Sequence, residues 1–277
     1  MISTIQSIQF LRQVGGTFNR PIESICRDDS GLEVYYLKYF RTGNEIEGLV
    51  AEVVCHFLAR KMNLLTPDIS YVEIGDHPIP DEFVHPEHLS TGKVVFGSKK
   101  AEKVDELTKL EFIFSKHEFN RLEYPIHLLR VGLFDLWIGN NDRTEDNYNL
   151  FLTRGKKQKI VVFDHFEAFN KITESSFRDV NTFIEIYEKG FLGSKYAYEM
   201  LGWVSKDDLN REVDEFVRNI QGLDIPEEIG KIEETFPDSW DIGAEVTDYI
   251  VRYLSSEDRL NNVLEEVNNY IKYLPEK

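Results

Sequence analysis

One stretch constrains this chain more than any other: Asn140-Asn141-Asp142-Arg143-Thr144-Glu145-Asp146-Asn147, running on through Leu152 and answered by Phe163-Asp164-His165-Phe166. Ahead of it, Pro125 opens a dense apolar segment (Ile126, Leu129, Leu133, Phe134, Trp137) that stops at Gly139. Proline in the first turn and glycine after the last predict a buried helix. Behind it, 149–152 and 160–163 read as strands joined by the turn Arg154–Lys159. Such a hairpin returns Asp164 to the loop that holds Asp142 and Asn147. Two carboxylates and an amide then converge at one end of a two-stranded ribbon. Converging carboxylates repel, so a cation or a proton must stand between them.

The rest of the chain supplies a setting. Residues 1–75 read as strands around one helix. Val34–Phe40, β-branched and aromatic, follows the turn Asp28-Asp29-Ser30-Gly31, and Ile22–Arg27 precedes that turn. A helix is predicted over 45–62, with Asn44 and Glu47 at capping-box spacing and Ile46, Leu49, Val50, Val53, Phe57 and Leu58 on one face. Strands are expected at Ile69–Ile74 and around Val94-Val95-Phe96, with a Pro- and His-rich surface loop between them. From Lys99 the composition turns charged and helix-favouring, which places a boundary between 1–98 and 99–277. Further helices are expected at 206–221, 241–254 and 256–273.

Charge narrows the function classes. Thirty-two Lys and Arg face 49 Asp and Glu, a formal net charge of −17. A surface this acidic repels nucleic-acid backbones and anionic headgroups, so neither nucleic acid nor membrane is expected as a direct partner. The interrupted apolar runs at the N-terminus do not read as a signal peptide, and no run approaches the ~20 residues of a membrane span. Cys26 and Cys55 have no metal-ligand spacing and read as two reduced thiols. Together these predict a cytoplasmic protein.

Phosphoryl transfer uses the set of residues found here. One Asp accepts or orients the acceptor hydroxyl proton, and an Asn with a second Asp holds Mg2+ across nucleotide phosphates. The upstream order agrees: a glycine pair (Gly15-Gly16), a lysine on a strand (Lys38), then a helix with Glu45, Glu47 and Glu52, any of which periodicity allows as the lysine's partner.

At this point the chain resembles the HipA-like kinases, a family of serine/threonine-type protein kinases best known from bacterial toxin–antitoxin systems. The carriers are Gly15-Gly16 through Pro21, Tyr36-Leu37-Lys38, Glu52 ahead of Leu58-Ala59 and Leu65-Thr66-Pro67, Ile138–Arg143 with Asn147, and Val162-Phe163-Asp164-His165. The resemblance spans about 10–170 and selects Glu52. It implies an α+β, bilobal protein-kinase-like fold with a small β-rich N-lobe (1–98) and a mainly helical C-lobe (99–277). ATP would lie between the lobes near Phe96-Gly97-Ser98. Asp142 would be catalytic base, Asn147 and Asp164 ligands of Mg2+ (or Mn2+), and Gly15, Gly16, Lys38 and Glu52 the nucleotide-binding residues. A protein Ser/Thr hydroxyl is the implied substrate, with an antitoxin or other regulatory protein as a candidate partner. Thr144 stands where many members have His, and His165-Phe166 replaces the x-Gly of ordinary protein kinases. The alternatives are a kinase for a small alcohol or lipid headgroup, and a catalytically weak, kinase-shaped regulatory binding protein.

Other residues carry plainer readings. The His85-Pro86-Glu87-His88 loop, with His77 and Asp81, imposes no zinc geometry. His56 and His165 read as packing or hydrogen-bonding residues, and the basic turn 154–159 as a solvated hairpin tip.

Overall fold

Alternating buried and exposed residues build the first part of the chain into strands. The computed structural model describes residues 2–14, 20–39, 45–83, 88–107, 110–145, 147–172, 180, 186 and 190–275. Strands β1 (Thr4–Gln13), β2 (Ile22–Asp28), β3 (Gly31–Lys38), β4 (Ile69–Glu73) and β5 (Val94–Lys99) close into a barrel in the order β1-β2-β3-β5-β4. β1 and β4 pair in parallel, Ile5 opposite Val72, and the other neighbours are antiparallel. The interrupted apolar runs of the N-terminus thus form a ten-residue strand: Ile5, Ser7 and Phe10 are buried and most of the interrupting residues face outward. Ile5, Ile22, Cys26, Leu37, Val72 and Val95 belong to the barrel core. Their neighbours Tyr71 and Phe96 point the other way, into a second and larger core.

α1 (Glu45–Lys61) runs between β3 and β4, and the expected cap at Asn44 lies outside the described residues. Leu49, Val50, Val53, Val54 and Leu58 are all buried in the larger core, so α1 is gripped on more than one side. Acids in its first turn and Arg60 and Lys61 in its last suit the helix dipole.

Beyond the barrel come β6 (Val104–Glu106), α2 (Lys116–Phe119), α3 (His127–Ile138), β7 (Leu150–Thr153), β8 (Ile160–Val162) and the short α4 (Ala168–Lys171). Then follow α5 (Lys195–Leu201), α6 (Lys206–Gln221), α7 (Ile225–Glu233), α8 (Ala244–Leu254) and α9 (Glu257–Tyr273). The charged segment after Lys99 yields a strand before any helix. Its residues 104–106 pair with 151–153, so a free strand edge overrides local propensity. Pro125 stands in the turn before α3 rather than in its first turn, because His127 and Leu128 close turn bonds onto Tyr124 and Pro125.

The C-terminal helices are amphipathic at helical spacing: Leu209, Val213, Phe216 and Ile220 on α6, and Val263, Val267 and Ile271 on α9. Ser205 and Ser256 accept first-turn N–H groups, caps worth about 1 kcal/mol each. The helix expected over 241–254 starts at Ala244, after a single turn at Asp238–Trp240. Trp240 Nε1 donates to Val94 O at 3.0 Å, and its ring meets Tyr71 edge-on, which ties this part to the barrel. The whole is a mixed α+β chain, sheet-rich at the N-terminus and helical towards the C-terminus. No described helix is long and apolar enough to cross a membrane.

Candidate active site

Lys38 ends β3 opposite Phe96 of β5, and its side chain points to α1. There the ammonium pairs with Glu52, both side chains being almost fully buried. Glu47 instead faces the charge of Glu245. The same ammonium lies 2.7 Å from Asp164 Oδ1. Glu52 uses its other oxygen to accept the His165 N–H at 3.0 Å, so one carboxylate holds the lysine and the backbone beside Asp164. Burial alone would depress Lys38, but Asp164 and Glu52 together raise its pKa. Burial pushes the Glu52 carboxyl up against the pull of Lys38, whereas Lys38 keeps Asp164 below the usual carboxylate range despite its burial.

The hairpin delivers Asp164 as its spacing predicts. β7 pairs with β8, Phe163 N donates to Asn149 O at 3.2 Å, and Val162 N donates to Leu65 O at 2.8 Å just after α1. Asp164 itself is left-handed (φ 59), a conformation that a short polar side chain tolerates.

Gly139, left-handed at φ 63, ends α3 and releases the chain into the loop. Asn147 Nδ2 donates to Asp142 Oδ2 at 3.0 Å, and Asn149 Nδ2 approaches the same oxygen at 3.5 Å. Thr144 and Asn147 exchange backbone hydrogen bonds, which closes the loop on itself. Burial and the charge of Asp164 raise the Asp142 pKa. Asp142, Asn147 and Asp164 are thereby brought together with Lys38 and Glu52. Gly15 and Gly16 lie outside the described residues; Val14 and Pro21, on either side of them, line a cleft together with Lys38, Glu52 and Asp164 and join through Val14 N to Pro21 O at 2.8 Å.

Sequence reasoning assigned no role to the brace beneath this loop. Arg143 is 1% exposed at its side chain and donates from Nε to Asp135 Oδ2 at 2.8 Å. One terminal nitrogen reaches Tyr148 O and Asn149 O, both at 2.6 Å, and the other meets His165 Nε2 at 3.3 Å. Because arginine only donates, His165 Nε2 accepts, and the ring is neutral with its proton on Nδ1. Burial and the Arg143 charge keep its pKa well below the ordinary value. Asp135, which also holds Asn140 Nδ2 at 3.1 Å, is a buried acid in a mostly apolar helix whose other buried charge is Arg130. That mismatch was the available signal.

The cleft between barrel and hairpin has a volume of about 340 Å3, within the usual range for small-molecule sites. Its walls are largely apolar and aromatic, including Phe96 and the stacked pair Phe151–Phe163 with ring centroids 4.2 Å apart, with Arg12, Lys99 and Glu106 also on the lining. Its polar end holds Lys38, Glu52, Asn147, Asn149, Asp164 and His165. Among the described residues, no three His, Cys, Asp or Glu side chains converge to hold a metal alone. Asp164 and the Asn147 amide are hard oxygen donors, so they suit Mg2+ when phosphate oxygens complete the shell. His77, weighed with the zinc-like loop, meets Ser7 Oγ at 2.8 Å instead; residues 85–87 lie outside the described residues.

A family model described as HipA-like kinase matches residues 8–222. Among solved structures the chain is similar to the proinflammatory kinase CtkA of Helicobacter pylori, with a TM-score of 0.59 and 13% sequence identity, covering 99% of this chain and 100% of that one. At that identity the likeness is one of fold. No curated protein matches.

Proposed function

This chain belongs to the HipA-like kinase family, and from that premise we propose that it is an ATP- and Mg2+-dependent phosphotransferase acting on a Ser or Thr hydroxyl of a protein. The observation that carries this reading is the meeting of Lys38, Glu52 and Asp164 at the polar end of an aromatic-walled cleft. Lys38 would bind nucleotide phosphates, and Glu52 would hold it in place. The base would lie between the apolar walls, with the Gly15-Gly16 loop over the phosphates. Asn147 and Asp164 would hold Mg2+ (or Mn2+), which when bound offsets phosphate charge and orients the γ-phosphoryl group. Asp142, kept in place by Asn147, would accept the acceptor hydroxyl proton as that oxygen attacks. Positioning and charge neutralisation supply most of the acceleration.

In this reading residues 1–98 form the N-lobe and 99–277 the C-lobe, with the nucleotide between them. Two free, buried cysteines suit a reducing cytoplasm. The partners are a protein substrate and an antitoxin or other regulator. Incubation of the purified chain with labelled ATP, Mg2+ and a cell lysate, followed by mapping of modified residues, tests it. Mg2+-dependent label on Ser or Thr is expected. Equal ATP affinity with and without Mg2+, and no transfer, would reject the proposal.

A further inference from the structure

Helices α8 and α9 carry no motif, yet they reach the last turn of α3 and Gly139, from which the Asp142 loop starts. Arg259, in the first turn of α9, is 1% exposed. It donates from Nε to Tyr253 O at 3.1 Å, from one terminal nitrogen to Leu136 O at 3.1 Å and from the other to Trp137 O. Leu136 and Trp137 lie in the last turn of α3, and Tyr253 in the last turn of α8. One guanidinium therefore stands at the negative ends of two helices, while the dipole of its own helix disfavours a cation there. It lies 4.0 Å from the centroid of the Tyr253 ring. Among the described residues no carboxylate pairs with it, so carbonyls and a ring carry the whole cation.

The contacts continue into both catalytic segments. The Tyr253 hydroxyl fills the space that a Cβ at Gly139 would take. Gly139 O accepts from Asn170 N at 3.1 Å, and Phe169 O accepts from Tyr249 Oη at 3.2 Å. Phe169 and Asn170 are both left-handed (φ 57 and 58), which an aromatic residue rarely adopts. The end of α3 and the segment after Asp164 are thus braced at one point by α8 and α9.

We propose that Arg259 is a positioning residue for phosphoryl transfer: it fixes the last turn of α3 and, through Gly139, the placement of Asp142. The inference rests on the kinase reading above. The nucleotide end of the site is built mainly by β3, α1 and the Asp164 turn, where Arg259 makes no described contact; of the residues assigned to nucleotide or metal, only Asn147 lies on the loop after Gly139. Binding and transfer should therefore separate.

The full chain is compared with Arg259→Met and Arg259→Lys, using Mg2+·ATP as the probe. ATP affinity is measured by calorimetry, and transfer to water or to the chain's own hydroxyls in a single turnover. Rates are expressed per ATP-binding site, well below each melting temperature. For Arg259→Met the rate per site should fall by about tenfold to a hundredfold, the cost of misplacement by about an ångström. ATP affinity should stay within about threefold, because Lys38, Glu52 and Asp164 keep their places and Asn147 is one contact among several. Arg259→Lys, which keeps the charge without the fork, should recover part of the rate. Amide exchange should quicken at 136–149 and remain as in wild type in α1 and the barrel.

A merely structural role would lower melting temperature and the number of binding sites, with the rate per site unchanged; that result overturns the proposal. Affinity and rate falling together also overturns it. If Arg259→Met does not fold, the lysine variant and its exchange pattern decide. If wild type itself shows no turnover, the kinase reading fails and exchange alone judges the brace: loss of protection confined to 136–149 supports it, and unchanged or uniform exchange overturns it.

Discussion

Lys38 and Asp164, 126 positions apart in the chain, meet at 2.7 Å between Nζ and Oδ1, and the same ammonium holds Glu52. One cation thus faces two carboxylates, Glu52 buried and Asp164 half-buried at the cleft. The set carries an excess of negative charge, so phosphates can approach it only with a cation that offsets the repulsion.

Removing the ammonium should expose that excess. Lys38→Met leaves two carboxylates without their cation, and breaking a buried pair from one side costs about 3–5 kcal/mol. The variant should melt well below wild type and lose ATP binding. Added Mg2+ should raise its melting temperature more than that of wild type, because the metal then has an unpaired Asp164 to meet. Thermal denaturation with and without Mg2+ checks this; equal shifts in the two proteins would contradict it.

Asp142 is expected to act in the transition state rather than in binding. Asp142→Asn removes one charge with little change of volume and relieves repulsion with Asp164. Rate should drop by about 10²–10⁴-fold while ATP affinity holds or improves. Binding and single-turnover transfer measured on one preparation separate the two, and preserved transfer would remove Asp142 from the chemistry.

Gly48 is set by packing. A Cβ there would overlap the Phe166 ring, which follows the His165 N–H bonded to Glu52. Gly48→Ala gains about 1 kcal/mol of helix propensity but overpacks at a cost of about 1–3 kcal/mol. Net destabilisation and weaker ATP binding are expected in denaturant titration and calorimetry. A more stable variant with unchanged affinity would show that the ring moves freely.

Buried histidines should make the fold acid-sensitive. His56, with Nδ1 2.8 Å from Thr66 Oγ1, has a pKa lowered by burial to about 4 from an ordinary 6.5. Between those values the unfolded chain binds the additional proton, so stability rises with pH there. The loss begins as pH falls through about 6.5 and reaches about 3 kcal/mol by pH 4. The buried His165 and the half-buried His127 act in the same sense. Relative to wild type, His56→Gln should lose less stability between pH 7 and pH 5. Parallel melting curves across that range would refute the assignment.

By itself the sequence determined the local order of this protein. The apolar run before Gly139, the Asp142-to-Asn147 spacing and the hairpin ending at Asp164 all depend on contacts a few residues apart, which periodicity and turn chemistry encode. The amphipathic faces of α6 and α9 were legible for the same reason. Tertiary structure decided what meets across long stretches of chain. Residue types alone allowed Glu45, Glu47 or Glu52 beside Lys38, and the packing of α1 put Glu52 there. Of the Arg143 brace only Asp135, an acid in a mostly apolar segment, left a mark in the sequence; Phe166 lying on Gly48 and Arg259 joining α9 to the end of α3 have no local signature. Each is settled only when the outer face of the barrel, the hairpin and the helices pack into the larger core, because burial then favours pairing of polar groups wherever the chain has brought partners together.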